Sequence, residues 1–264
     1  MSQETAVRRD IFLTLIGFGI LWVLLDRSAA AAGSLRGEMG LQIGALVVGA
    51  AWALEWVLSR RRPAEAYRAI GMALPARRPL LVAIVLCGAL ILYFPVFAAV
   101  SGARITVMGG AAMLALGMFA QGGVAEEVVF RGFLFRRLRA GRSFWRAAWI
   151  AAIPFVAVHA LLFLSLDFPI ALASLLLALS LSFPLSWIFE VSGNSIWPPA
   201  IIHATLQAAP KLVDAGEDFT LLAMGWIVLG GVVPWALFLL RPTKPSEDDA
   251  PRAPGGHSTR KATT

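Results

Sequence analysis

Long apolar stretches alternate with short polar segments along this chain of 264 residues. A helix needs about 20 mostly apolar residues to cross a bilayer. Eight stretches approach or exceed that length: about 11–26, 39–58, 80–100, 106–135, 147–166, 168–189, 196–213 and 219–240. The pattern predicts an all-α fold, a polytopic membrane helix bundle of about eight transmembrane helices that occupies residues 1–240.

The basic residues are concentrated in alternate segments between these stretches. If both termini are cytoplasmic, 18 of the 23 lysines and arginines fall in cytoplasmic segments and four fall outside, while Arg131 lies within a span. Because short cytoplasmic loops carry an excess of Lys and Arg, this asymmetry predicts that both termini are cytoplasmic. Arg8 and Arg9, followed by an apolar run and by alanines at 29–32, are similar to a cleavable secretory signal. We nevertheless expect the first helix to be retained.

The composition narrows the class of protein. The chain is 58% hydrophobic and only 15% charged, and it contains one cysteine. These values exclude an ordinary soluble enzyme, a disordered chain and a disulfide-stabilised secreted domain. The net charge of +7 comes from arginines between the spans, so the expected partner is the lipid bilayer and not nucleic acid. Frequent alanine and arginine favour a bacterial origin, and hence a multi-pass protein of the bacterial cytoplasmic membrane. Residues 241–264 combine several prolines with mixed charge, which predicts a disordered cytoplasmic tail.

Three charged residues interrupt the fourth stretch: Glu126, Glu127 and Arg131. A charged group at the bilayer centre costs about 2.5–3.5 kcal/mol even on the most lenient scale, so these three must face the bundle interior or a water-filled cavity. Glu127 and Arg131 have the i,i+4 spacing of an intrahelical ion pair. Such a pair alone would explain one glutamate and not two adjacent ones, so the sequence indicates a functional site.

Two of the three histidines lie within other apolar stretches, and an amide accompanies one of them. His159 is in the fifth stretch, His203 is in the seventh, and Gln207 follows His203 by one helical turn. At 1.5 Å per residue, Glu126, His159 and His203 lie about 13–20 Å from the predicted cytoplasmic ends of their helices. We therefore expect them at similar depths, in the middle or the cytoplasmic half of the membrane.

Two kinds of hydrolytic chemistry fit these side chains. A buried glutamate, or one paired with histidine, can take a proton from water. Imidazole and amide N–H groups can stabilise the oxyanion formed during peptide hydrolysis. Alternatively, Glu126, His159 and His203 match the two-histidine, one-carboxylate ligand set of a catalytic divalent metal such as zinc. Other intramembrane proteases use an H-E-x-x-H helix, an aspartate pair or a glycine-framed serine, and the spans contain none of these motifs.

Three motifs resemble those of a known family. Ala125–Gly132 reads A-E-E-V-V-F-R-G and resembles the E-E-x-x-x-R motif of the CAAX prenyl endopeptidase and bacteriocin-processing (CPBP, Abi-like) family of intramembrane proteases. Phe155–His159 is similar to the F-x-x-x-H motif of that family, and His203–Gln207 is similar to its H-x-x-x-N motif. The resemblance covers about residues 105–210, the motif-bearing core, in the order of the family.

The resemblance implies a role for each motif residue. Glu126 would be the general base that activates water, assisted by His159. Glu127 and Arg131 would support the site electrostatically. His203 would polarise the scissile carbonyl group. Members of the family are often described as metalloproteases, although a metal-free glutamate mechanism has also been argued for them, so the resemblance implies a glutamate- or metal-dependent peptidase.

The last motif position departs from the family, because Gln207 replaces the usual asparagine. Glutamine keeps the amide donor that would complete the oxyanion hole, but it moves that donor by one methylene. We therefore keep two alternatives to an intramembrane endopeptidase that cleaves peptide or protein substrates, lipidated ones included. One is an inactive relative that binds a membrane partner in immunity or sorting. The other is a proton-coupled transporter, because intramembrane Glu and His sets also relay protons.

Overall fold

The computed structural model describes residues 3–165 and 167–241, which are built almost entirely of helices joined by short turns. The α-helices of these residues, α1 to α11 in chain order, are Gln3–Ala32, Arg36–Ser59, Pro63–Ala69, Arg77–Ile91, Tyr93–Ser101, Ala111–Met118, Arg136–Arg139, Phe144–Ala160, Phe168–Val191, Trp197–Ala208 and Phe219–Val232. Two π-helical segments, Phe119–Ala125 and Val128–Phe135, lie between α6 and α7. The 3₁₀ helices are Gly33–Leu35, Leu161–Leu164, Ala209–Leu212, Gly216–Asp218 and Val233–Leu239, and the strands β1 (Thr106–Val107) and β2 (Val213–Asp214) pair antiparallel. The disordered tail predicted for 241–264 lies, beyond residue 241, outside the described residues.

Among the described residues, seven helices are long and apolar enough to cross a membrane. They are Asp10–Ala32, Gly37–Ser59, Arg77–Ser101, Ala111–Arg139, Phe144–Leu164, Phe168–Val191 and Gly216–Leu239. They correspond to seven of the eight predicted spans, and the all-α polytopic bundle is confirmed. The first helix extends beyond its predicted end at 26, and the fourth begins at 111 because β1 and a glycine turn precede it. The count of eight is not confirmed, and the cytoplasmic side of the termini stays a prediction.

The remaining predicted span, 196–213, is not one long α-helix. Its α-helical part, Trp197–Ala208, has 12 residues and is followed by the 3₁₀ turn Ala209–Leu212. The change occurs at Pro210: Ala209 N–H still donates to Thr205 O, but proline has no N–H with which to continue the α-helical hydrogen bonds. This segment is therefore shorter than the other seven.

The ends of this shorter segment are nevertheless attached to opposite ends of the third span. Ile196 N–H donates to Gly71 O, in the turn that precedes α4, and Met108 N–H donates to Leu212 O on the far side of α5. Between these points α10 packs against α4. Residues 197–212 therefore run beside the third span from one of its ends to the other.

Glycines allow the helix that carries both glutamates to pack closely against α2. Gly40 and Gly44 have the spacing of the small-xxx-small pattern, which lets the backbones of membrane helices approach each other. A Cβ atom on Gly40 would collide with the backbone of Gly117, and one on Gly44 would lie 2.8 Å from Ala120 O. This contact fixes the position of the fourth span in the bundle.

Buried apolar side chains form two clusters, and α9 contributes to both. Phe183 and Phe189 of α9 belong to the cluster that mainly joins α1, α2, the π-helical segments and α8. Leu185 and Ile188 belong to the cluster that joins α4, α5, α10 and α11. A helix that is buried on opposite faces lies at the centre of a bundle. The fourth span belongs mainly to the first cluster and α10 mainly to the second, and the two helices pack against each other where the clusters meet.

Candidate active site

The fourth span is one continuous helix, and on both sides of the two glutamates its backbone changes from α-helical to π-helical hydrogen bonding. Phe119–Ala125 and Val128–Phe135 are π-helical, whereas Glu126 and Glu127 themselves keep α-helical backbone angles. π-helical turns have i→i+5 hydrogen bonds, are rare, and are frequent at functional sites. A Cβ atom on Gly132 would collide with the carbonyl oxygen of Ile70, so the second π-helical segment packs directly against the end of α3.

Two adjacent glycines in the first π-helical segment allow α10 to approach the glutamates. A Cβ atom on Gly123 would lie 2.9 Å from Ala200 O and 3.0 Å from Ala204 Cβ. A Cβ atom on Gly122 would collide with Gln207 Oε1. The Gln207 amide therefore fills the space that a side chain at residue 122 would need.

Glu127 is the buried ionic centre of the site. Its side chain is 0% exposed, and its Oε1 accepts a hydrogen bond from Arg131 Nη1 at 2.9 Å and lies 2.7 Å from His203 Nδ1. Arg131 is 2% exposed, and its guanidinium lies 4.6 Å from the centroid of the Phe155 ring. The i,i+4 ion pair expected from the sequence is present, and a histidine from another helix joins it. Because both charges are removed from water, each depends strongly on the other.

Glu126 is the more accessible carboxylate, with 16% of its side chain exposed. Its Oε2 lies 3.7 Å from His203 Nε2, and its Oε1 accepts a hydrogen bond from Gln207 Nε2 at 3.4 Å. His203 thus lies between the carboxylates, with Nδ1 facing Glu127 and Nε2 facing Glu126. A separation of 3.7 Å is longer than a hydrogen bond and is one that a water molecule can bridge.

His159 approaches this set from α8. Its Nδ1 lies 2.7 Å from Phe155 O in the same helix, and its ring centroid lies 4.7 Å from that of the Phe155 ring. Because a carbonyl oxygen only accepts hydrogen bonds, Nδ1 carries the proton of the neutral ring and the Nε2 lone pair remains available. The same Phe155 ring also lies beside His203, so it links the two imidazoles.

The structure brings most of the expected site residues into direct contact. Hydrogen bonds and ion pairs connect five of them, and the sixth, His159, lies beside them without a hydrogen bond to Glu126 among the described contacts. The five connected residues are Glu126, Glu127, Arg131, His203 and Gln207. Their roles in catalysis stay predictions.

Phe155 and Gly122 were not among the residues expected at the site. The Phe155 ring contacts the Arg131 guanidinium and both imidazoles, with its centroid 6.1 Å from that of His203. The signal for Phe155 was its position at the start of the F-x-x-x-H motif. The signal for Gly122 was the pair of adjacent glycines within an apolar helix, although the partner of that pair could not be read from the sequence.

The described residues give no support to the metal alternative. Within residues 3–165 and 167–241, no group of three or more His, Cys, Asp or Glu side chains is arranged to hold a metal ion. Of the three proposed ligands, Glu126 and His203 lie 3.7 Å apart, whereas His159 forms no described hydrogen bond or ion pair with either of them. Glu126 itself accepts a hydrogen bond from an amide.

An apolar cavity of about 520 Å³ lies elsewhere in the bundle. It is lined by α5, the start of α6, the strands and the 3₁₀ turn after α10, and its lining contains neither a titratable side chain nor any of the six candidate residues. Clusters of buried titratable groups are better indicators of chemistry than apolar volume. We therefore place the candidate site at the Glu–His–Gln cluster and not at this cavity.

Comparison with known proteins agrees with the motifs at this site. Residues 108–209 match the family model described as type II CAAX prenyl endopeptidase Rce1-like, and the matched segment contains all six candidate residues. None of the curated proteins compared matches the chain. The matched family is one of proteases, and it supports a hydrolase in a multi-pass membrane bundle. The resemblance of this chain to the CAAX family of intramembrane proteases is therefore confirmed over residues 108–209.

Proposed function

We propose that this protein is an intramembrane endopeptidase that hydrolyses a peptide bond with a glutamate-activated water. The observation that carries the proposal is the position of His203 between two adjacent glutamates, 2.7 Å from Glu127 and 3.7 Å from Glu126. A structural ion pair would require only Glu127 and Arg131, and it would leave Glu126 unexplained. The match to a prenyl endopeptidase family supports hydrolytic chemistry in this segment.

Glu126 is the general base of the proposed reaction. It is the more exposed member of the pair, and the 3.7 Å between its Oε2 and His203 Nε2 accommodates a water that contacts both. A carboxylate within hydrogen-bond reach can take the proton of a water as that water attacks. His159, with its available Nε2 lone pair, assists by holding the same water.

His203 and Gln207 stabilise the oxyanion. Glu127 accepts a hydrogen bond from His203 Nδ1 and thereby orients the ring, so that Nε2 faces the reacting centre. A protonated Nε2 and the Gln207 amide can both donate to the scissile carbonyl oxygen as negative charge develops on it. Arg131 balances the charge of Glu127 in the low-dielectric interior.

The proposed reaction consumes one water and returns every side chain to its starting state. Glu126 takes one proton of the water while the water oxygen bonds to the carbonyl carbon. The oxyanion then accepts hydrogen bonds from His203 and Gln207. As the tetrahedral intermediate collapses, the C–N bond breaks and Glu126 gives the proton to the leaving amine. The products are a carboxylic acid and an amine.

The proposed substrates are peptides or proteins associated with the membrane. The matched family is described as a prenyl endopeptidase, so lipidated substrates are included. If the sidedness expected from the arginines holds, substrates reach the site from the cytoplasmic half of the bacterial cytoplasmic membrane or laterally from the bilayer.

Cleavage of a quenched peptide library by the detergent-purified protein tests this function. We compare the wild type with Glu126→Gln and His203→Ala, and use Glu38→Gln as the control because Glu38 is an exposed glutamate in the first turn of α2. Both site variants should lose about 10²–10⁴-fold in rate, and the control should keep the wild-type rate. Thermal unfolding of each variant separates loss of chemistry from loss of fold.

The same experiment distinguishes the alternatives. Cleavage that persists in a chelator favours the glutamate mechanism, whereas cleavage lost in chelator and restored by zinc favours Glu126, His159 and His203 as metal ligands. A wild type that cuts no peptide but still binds a membrane partner favours an inactive relative. Proton-driven transport in proteoliposomes, without cleavage, favours a transporter.

A further inference from the structure

A buried glutamate at the end of α2 is surrounded by three arginines, and two of these follow Glu126 by ten and eleven residues on the fourth span. The side chain of Glu55 is 2% exposed. Arg137 donates to Glu55 Oε2 from Nη2 at 2.6 Å and from Nε at 3.1 Å. Arg61 Nε lies 3.4 Å and Arg136 Nη2 lies 3.7 Å from Glu55 Oε1. We refer to Arg61, Arg136 and Arg137 as the arginine cluster.

The arginine cluster carries more positive charge than Glu55 can neutralise. Arg137 binds Glu55 most closely, through both Nε and Nη2, and its guanidinium also lies 4.7 Å from the centroid of the Phe133 ring. Arg61 and Arg136 share a single carboxylate oxygen at longer distances, and Arg136 Nε is buried without a hydrogen-bond partner among the described residues. A buried N–H donor is costly unless an acceptor satisfies it. With one carboxylate for three guanidinium groups, an anionic acceptor fits best.

The surroundings of the arginine cluster are those of a membrane surface. Trp52 and Trp56 lie one turn apart on α2 and stack with ring centroids 6.1 Å apart. Trp52 Nε1 donates to Pro63 O, whereas Trp56 and Val57 are exposed. Tryptophan concentrates where the hydrocarbon meets the headgroups, because its ring is apolar and its N–H is polar. The arginine cluster therefore lies at the depth of lipid headgroups.

We propose that Arg61 and Arg136 bind the phosphate group of an anionic phospholipid whose acyl chains pack along Trp56 and Val57. Guanidinium groups and phosphate oxygens form paired, charge-assisted hydrogen bonds. Basic pockets between transmembrane helices at this depth are suited to anionic headgroups. Arg60 has a left-handed backbone conformation with a φ of 49°, which ends α2 and turns the chain so that Arg61 faces Glu55. The site does not depend on the proposed peptidase activity.

Thermal unfolding of the detergent-purified full chain, titrated with phosphatidylglycerol in mixed micelles, tests the proposal. A ligand that binds the native state raises the unfolding temperature with a saturable dependence on its concentration, which yields a Kd. Phosphatidylcholine tests a lipid without net charge, and sodium phosphate tests the free anion. We expect saturable stabilisation by phosphatidylglycerol alone. Equal stabilisation by either of the other two, or none by phosphatidylglycerol, would overturn the proposal.

Two variants and a control locate the lipid on the protein. We expect Arg61→Gln and Arg136→Gln each to weaken the Kd for phosphatidylglycerol about tenfold, because each removes a charge-assisted hydrogen bond. Arg78→Gln removes an exposed arginine at the start of α4 and should leave the Kd unchanged. The Arg61 side chain is 44% exposed, so the test remains decisive if Arg136→Gln fails to fold. Equal weakening by Arg61→Gln and Arg78→Gln would show attraction by general surface charge and would overturn the proposal.

Discussion

Replacement of Gly122 by alanine tests whether the shape of the glutamate-bearing helix holds the Gln207 amide in place. Gln207 Oε1 occupies the position of a Cβ atom at residue 122, and Gln207 Nε2 donates to Glu126 Oε1 at 3.4 Å. The added methyl group must displace the amide or separate the helices. Either adjustment removes the amide from the reacting centre, so we expect cleavage to fall about 10²–10³-fold, as it does when one oxyanion donor is lost.

Gly122→Ala should also lower the stability of the protein, by an amount that can be estimated. Overpacking of a well-packed site costs about 1–3 kcal/mol, which for a chain of this size lowers the unfolding temperature by roughly 2–12 °C. Gln207→Asn alone removes one methylene, worth about 0.8 kcal/mol when buried, and withdraws the amide from residue 122. In the double variant the methyl group added at Gly122 fits the space that Gln207→Asn opens. We therefore expect the double variant to be more stable than the sum of the single variants by about 1–2 kcal/mol.

A double-mutant cycle measured by thermal unfolding in one detergent checks this coupling, and cleavage rates are measured on the same four proteins. Gly49→Ala is the control, because nothing lies within 4 Å of a Cβ atom at that position. If the destabilisations caused by Gly122→Ala and Gln207→Asn add to within about 0.5 kcal/mol, the two side chains do not compete for one space. That result would refute the reasoning even if both single variants lost activity.

Three further substitutions probe the buried charges and the helix packing. Glu127→Ala leaves the Arg131 charge buried without its carboxylate, so thermal unfolding should show a loss of about 3–5 kcal/mol, and a wild-type unfolding temperature would contradict the ion pair. Phe155→Leu removes the ring that lies 4.6 Å from the Arg131 guanidinium, a contact worth about 0.5–2 kcal/mol. Its stability loss should be smaller than that of Glu127→Ala, and its cleavage rate should fall; an unchanged rate would remove Phe155 from the site. Gly40→Val should prevent recovery of a monodisperse protein on gel filtration, because its side chain meets the backbone of the fourth span, whereas Gly49→Val should behave as wild type.

The membrane-crossing helices could largely be predicted from the sequence, because a bilayer imposes one requirement on every span. Each span must satisfy its backbone hydrogen bonds internally and present apolar side chains to lipid. The apolar run at 196–213 could not show where α-helix ends within it, because residues before and after the change are equally apolar. The end is set by Pro210, which has no N–H to donate, and by the hydrogen bond of Leu212 O with Met108, which lies about 100 positions earlier in the chain.

The candidate site was predictable where its contacts are local. The spacing of Glu127 and Arg131 within one helix was sufficient to predict their ion pair. The position of His203 between both glutamates depends on how closely α10 approaches the fourth span, and that distance is set by contacts between residues far apart in sequence. The expected depths placed these groups at one level of the membrane, but depth contains no information about the direction in which a side chain points.

The two π-helical segments change the phase of the long helix that contains the glutamates. An α-helix rotates by about 100° per residue, so the positions that face each neighbour follow one fixed pattern along its length. A π-helical turn contains an additional residue and therefore shifts that pattern. Gly117, before the first π-helical segment, faces α2, Gly123 within it faces α10, and Gly132 within the second faces the end of α3. Deletion of one residue within Phe119–Ala125 would allow this wide turn to close into an α-helical one and would change which of its residues face α10, where Gly122 and Gly123 now lie. The number of residues in this helix is therefore under as much constraint as their identity.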